Sequence, residues 1–157
     1  SDFIVDCLCD CWSQLAPDFP DVQTLVLLQD NGPENHSRRT QFMQRITHLA
    51  NQVQRTIHLL YYPPYHSKYN PVERVWGRLE QQWDGDLLDS ATAVLNFAQS
   101  MTWQQRHRVV TFVHQLYHTG VRLTKKAMTL LEQRFDRLKG LEKYSVRIPP
   151  LPSPSPG

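Results

Sequence analysis

Much that would mark a specialised chain is missing from these 157 residues. No apolar run approaches the roughly 20 residues that a membrane span needs, and no signal peptide opens the chain, so neither a bilayer nor export is indicated. No cysteine occurs after Cys11. Cys7, Cys9 and Cys11 are an odd number packed too closely for a disulfide framework, and they lack the distant second cluster on which zinc sites draw. They read as small buried residues in a reducing compartment. Nor is one sign of charge in excess: 17 Lys and Arg stand against 15 Asp and Glu, a net charge of +2. That balance is silent on nucleic acid, because a patch can be basic when the whole is not. No internal repeat is visible. What is present is 40% hydrophobic and 10% aromatic, enough for one modest globular domain, soluble and intracellular.

Along the chain, Phe3, Ile4, Cys7, Leu8, Cys11 and Leu15 recur at helical spacing, with Ser1 or Asp2 placed to cap the start. Pro17 and Pro20 then break the pattern. Thr24 to Leu28 is a short, continuously apolar run that predicts a strand buried on both faces. Asp30-Asn31-Gly32-Pro33 ends it, and a helix is expected from Ser37 to about Gln54 with Phe42, Ile46, Leu49 and Val53 on one face. Thr56 to Tyr61 reads as a second buried strand, so strand, helix and strand form a βαβ unit with a parallel pair. Asn70 as N-cap, Pro71 in the first helical position and Glu73 in the third open another helix, which ends near Trp83-Asp84-Gly85. The remainder reads as all-helical, in segments of about 87–101, 106–117 and 124–138. The Pro- and Ser-rich tail, 149–157, is expected to be disordered.

Asp30 follows directly on the carboxyl end of a buried parallel strand, the edge at which α/β sheets gather ligands and metals. Asp-Asn-Gly-Pro is also good turn chemistry, with the Asp bonding its own backbone. Glu73 has a plain alternative too, since an acid in the first helical turn complements the helix dipole and can close a capping box. In combination the two acids gain weight. The second strand returns the chain to the edge bearing Asp30, and a Pro-rich loop leads from it into the helix bearing Glu73. Two carboxylates from separate elements suit a hard cation such as magnesium.

The strings Asp30-Asn31-Gly32-Pro33 and Tyr62-Pro63-Pro64-Tyr65-His66-Ser67-Lys68-Tyr69-Asn70-Pro71-Val72-Glu73-Arg74-Val75-Trp76 resemble bacterial insertion-sequence transposases with a DDE triad, near the mariner-like branch. Most specifically the pattern is that of the Rhodopirellula-type DDE transposases. It extends through Trp83 and the Leu123-Thr124-Lys125-Lys126 segment to about Ile148. The resemblance implies an α/β, ribonuclease-H-like fold of the integrase superfamily, with Asp30 as the second catalytic acid and Glu73 as the third. It also implies two divalent ions, Mg²⁺ or Mn²⁺, and cleavage and strand transfer of DNA by in-line displacement at phosphorus. Transposon-end and target DNA would be the partners, in a homo-oligomer, in the cytoplasm at the nucleoid and away from membranes.

Only 23 residues precede the Thr24 strand, and they read as one helix and a Pro-rich connection rather than the three strands the family places there. Asp2, Asp6 and Asp10 would sit on that helix, so none is assigned as the first acid. The expected fold is therefore incomplete: a parallel strand pair with flanking helices plus a C-terminal helical region over 1–148, with open sheet edges and an uncovered apolar face. The alternative function is a non-catalytic remnant that at most binds DNA or a full-length partner. Arg38, Arg39, Lys68, Arg74 and Arg78 flank the site and are candidates for DNA phosphates, against the plain reading of solvated faces. His66 is a candidate to orient substrate or to cap a backbone group. Tyr62, Tyr65, Tyr69 and Trp76 stack on bases or, on the plainer reading, pack the loop on its helix.

Overall fold

A computed structural model describes residues 1–63, 66 and 69–152. The chain forms two compact bodies: Ser1–Tyr65 with Tyr117–Gly157, and His66–Leu116.

The first body is built on a four-stranded sheet of order β1-β2-β6-β5, with β1 Thr24–Gln29, β2 Thr56–Tyr61, β5 Asp136–Arg137 and β6 Ser145–Ile148. β1 and β2 are parallel in the register Thr24 to Thr56 through Gln29 to Tyr61, as the βαβ reading requires. β6 runs antiparallel to β2 and β5 antiparallel to β6, so the sheet is mixed and the fold α/β. Helices α1 Asp2–Leu15 and α2 Thr40–Val53 connect to it. α2 presents Phe42, Met43, Ile46, Leu49 and Ala50 to Ile57, Leu59, Val146 and Ile148, all buried, with Val5 from α1. Burying each large side chain of this set contributes about 1.5–3 kcal/mol. α2 stops at Gln54, whose left-handed backbone (φ 51°) closes the helix with a bond from its N–H to Ala50 O.

The opposite sheet face differs from the expectation of strands buried on both sides. Val26 is 51% exposed and Leu28 50%, and β1 stands at the sheet edge. Alternation, not continuous burial, is the observed pattern, because helices cover only one face.

α1 is helical as expected but seats a different stripe. Val5 is buried with Ile4, Leu8 and Cys9 against the core, whereas Phe3 and Leu15 are exposed. The helix is apolar through most of its circumference, so periodicity alone offered two faces; the ion pairs of Arg45 on α2 with Asp2 and Asp6 fix the choice. This corrects the reading of the cysteines as buried: Cys7 and Cys11 are exposed, Cys9 is half-buried, and all three are free.

The C-terminal helical region is also corrected. α5 spans only Lys125–Glu132, with Thr124 Oγ1 capping it through a bond from Ala127 N at 3.2 Å. The residues expected to continue it turn into β5 and pair with β6, a strand too short to show a period in the sequence. Beyond β6, Arg134 donates to Pro149 O and Leu151 N donates to Asn51 Oδ1, so the start of the Pro-rich tail is pinned. Residues 153–157 of that tail lie outside the described residues.

The second body carries α3 Val72–Trp83 and α4 Ala91–Ser100, which share a small apolar cluster of Leu79, Ala98 and Met101. Ser90 Oγ caps α4 by accepting from Ala93 N. The helix expected over 106–117 is replaced by a two-residue pair, β3 Thr102–Trp103 with β4 Arg106–His107, and by irregular chain. Gln104 and Gln105 both take positive φ between the two strands. The β-branched run Val109-Val110-Thr111 and Val113 is a poor helix former, and Val109 and Leu116 find no core to reward a helix.

Among the described residues no helix is long and apolar enough to cross a membrane.

Candidate metal and nucleic-acid site

Asp30 sits one residue beyond β1, at the carboxyl edge of the parallel pair, and is exposed. Tyr62 N donates to Gln29 O at 2.9 Å, which carries the parallel ladder to the last residue before the acid. Among the described residues its side chain makes no hydrogen bond to its own backbone, as a simple turn residue would. Its side-chain partner among them is Asn35, whose Nδ2 donates to Asp30 Oδ1 at 3.1 Å. Gly32 makes room for this contact: a Cβ there would meet Asn35 Oδ1 at 2.8 Å and Asp30 Oδ1 at 3.4 Å. Asn35 is itself held from the sheet, since Tyr61 Oη donates to Asn35 O at 2.8 Å. Burial pushes the Tyr61 phenol well above its ordinary range, so it stays a neutral donor. Asn35, Gly32 and Tyr61 were not picked out from sequence, and nothing at their spacing announces the role.

Glu73 lies in the first turn of α3 and is exposed. The N-cap of α3 is Pro71, without a side-chain cap bond, rather than the Asn70 expected from sequence; one residue earlier, Asn70 Oδ1 accepts from Val72 N at 3.3 Å. Among the described residues no bond returns from the Glu73 carboxylate to the Asn70 amide, so the capping-box reading is not realised there. Val75, Leu79 and Trp83 take the apolar side of α3. At 100° per residue, Glu73 then faces away from that cluster.

Of the cation candidates, Arg38 is exposed. Arg39 is committed within the protein, to Glu34 at 3.4 Å and to Gln41 Oε1 at 3.5 Å. Arg74 and Arg78 are exposed one turn apart on α3, with Arg78 touching Gln81 Oε1 at 3.4 Å. His66 stacks on Tyr69 with ring centroids 5.8 Å apart. Tyr69 and Trp76 are 63% and 52% exposed, so neither is absorbed by packing. Lys68 and Tyr65 lie outside the described residues.

Carboxylate oxygens are the donors that hard divalent cations select, and both acids are open to solvent. Each acid on its own has the donor chemistry of a ligand to such an ion. Among the described residues no group of three or more His, Cys, Asp or Glu side chains is placed to hold a metal.

The fold and the site together give an α/β sheet with an exposed carboxylate, Asp30, at the carboxyl edge of its parallel pair. Comparison with protein families matches residues 1–150 to the Rhodopirellula transposase DDE domain. The chain belongs to this family of DDE transposases, as its two motifs led one to expect. The family acts on DNA and generally uses divalent metal ions. No curated protein and no solved structure matches the chain.

Proposed function

We propose that this chain cuts and joins DNA in the transposition of an insertion sequence, with Asp30 and Glu73 as two of the carboxylates that hold divalent metal. The observation that carries the reading is the family match over 1–150; the resemblance of the D-N-G and N-P-V-E motifs proposes Asp30 and Glu73 as the second and third acids. The α/β sheet with Asp30 just beyond the end of β1 supports a ribonuclease-H-like arrangement. The resemblance assigns no first acid within these residues, so two ligands are this chain's proposed share of the metal centre.

Two Mg²⁺ or Mn²⁺ ions, when bound, supply the activation of water or a 3′-hydroxyl and the stabilisation of the leaving oxygen. The protein's part is placement. Asn35 fixes one oxygen of Asp30, Gly32 permits that approach, and Tyr61 anchors the Asn35 backbone. Glu73 lies in the first turn of α3, where Asn70 Oδ1 accepts from Val72 N. Arg38, Arg74 and Arg78 are exposed and, with Lys68 and His66 of the family motif, are the proposed phosphate contacts. The proposed setting is the bacterial cytoplasm, in a homo-oligomer on element ends and target DNA.

The test is Mg²⁺-dependent nicking of duplex DNA bearing the element's terminal sequence, by the full-length protein. Asp30→Asn and Glu73→Gln should each lower the rate by about a hundredfold or more, as loss of preorganised charge stabilisation does. Asn35→Ala should cost about 10- to 100-fold, the range for a residue that orients a metal ligand. Wild-type nicking by Asp30→Asn would sink the reading.

A further inference from the structure

The turn that opens β6 brings a cation to the loop that carries Asp30. A cleft of about 160 Å³ is lined by Arg38, Glu132, Arg137, Glu142 and Lys143, all within the first body. At about 30 Å³ per water it has room for a tetrahedral anion group. Its charges are not equivalent. Glu132 is neutralised by Arg137, whose Nε and Nη2 reach its two oxygens at 2.9 and 2.7 Å, a bidentate pair. Glu142 accepts from Gly140 N at 2.9 Å, and backbone amides hold its carboxyl below the usual range, so it is ionised and repels anions. Arg38 and Lys143 have no carboxylate within 4 Å among the described residues. Three cations against two anions leave one positive charge, which matches the single charge of a phosphodiester better than the near-double charge of a phosphomonoester.

The backbone segments that carry the two cations are also tied to each other. Arg137 donates to Ser37 O at 3.0 Å and to Glu142 O at 2.8 Å, and Ser37 Oγ donates to Lys143 O at 3.1 Å. One guanidinium thus ties the residue before Arg38 to the residue before Lys143. The same loop is tied to Asp30 through Asn35. We propose that Arg38 and Lys143 grip one backbone phosphate of DNA and so set the strand's position along the loop that presents Asp30. Arg137 is the positioning residue behind them. This rests on the transposase reading and extends it to Lys143, a residue that no motif singles out.

The experiment is anisotropy of a labelled short DNA duplex titrated with the full chain at several salt concentrations. The double variant Arg38→Ala/Lys143→Ala should melt like the wild type by circular dichroism. Its slope of log K against log salt should be shallower by about one, as expected for loss of one phosphate contact. Glu142→Gln, which removes the repelling charge, should tighten binding several-fold, a change that a folding defect does not mimic. Wild-type binding with an unchanged slope in the double variant would overturn the cleft and leave the transposase reading standing. No salt-dependent binding by the wild type would overturn both.

Discussion

Asp30 and Glu73 are carried by bodies that hold them in different ways. Asp30 ends a strand whose neighbours belong to a core containing Phe42, Met43, Ile46, Ile57, Leu59, Val146 and Ile148, each with no measurable exposure. Glu73 opens a helix that seats Leu79 against only two fully buried neighbours among the described residues, Ala98 and Met101. A ladder, a brace from Asn35 and a tyrosine anchor place the first acid; the Asn70 bond and a thin apolar stripe place the second. An acid on a strand end inherits the rigidity of the sheet, while an acid on a lightly packed helix inherits only that of its own first turns. The two proposed metal-binding acids should therefore respond unequally to damage.

The largest expected effect is in the first body. Phe42→Ala should cost about 3–5 kcal/mol in urea denaturation, because the ring leaves a cavity between α2 and the sheet. Leu79→Ala in the second body should cost about 2 kcal/mol, the low end of its class, since its surroundings are half open and can collapse. Its signature is faster amide exchange across Val72–Trp83. A global loss from Leu79→Ala equal to that from Phe42→Ala would break the comparison. Smaller again, Thr124→Ala removes the oxygen that caps α5 and should cost about 1 kcal/mol by thermal melting.

The smallest effect is a pH dependence confined to the first body. Burial, and then the Arg147 guanidinium, hold His58 below its ordinary range. Its Nε2 stands 3.0 Å from Ser145 Oγ. Because the folded value lies below the unfolded one, this contribution is present above about pH 6.5 and is lost as pH falls through the folded value. His58→Gln should flatten the fall in melting temperature on the acid side; an unchanged slope would mean that other groups govern it.

How much of this was legible depends on what each residue's position rests on. The parallel pair and α2 could be read because Thr24–Leu28, Phe42–Leu49 and Thr56–Tyr61 carry their period or their apolar run locally. The start of α3 was legible to within a residue or two for the same reason, although its N-cap is Pro71 and not Asn70. β6 was not: four residues acquire strand geometry only by pairing with β2, whose partner edge is decided by tertiary contact. The stretch 106–117 was misread because its apolar residues match a helix by spacing, while their β-branching and the lack of a receiving core work against one. At the site, both candidate acids were readable from motifs. Their support was not, since Asn35 reaches Asp30 across five residues and Lys143 reaches the loop from more than a hundred residues away.

The central claim, that Asp30 and Glu73 are metal-binding acids, is tested most directly by titrating the full-length protein with Mn²⁺ and following paramagnetic broadening of its backbone amides. The account predicts that the amides around Asp30 and those around Glu73 broaden first, that Mg²⁺ reverses the broadening, and that Asp30→Asn and Glu73→Gln each weaken it. Broadening confined to other acids, such as Glu80, Asp84 and Asp86, with both of these regions left sharp, would contradict it.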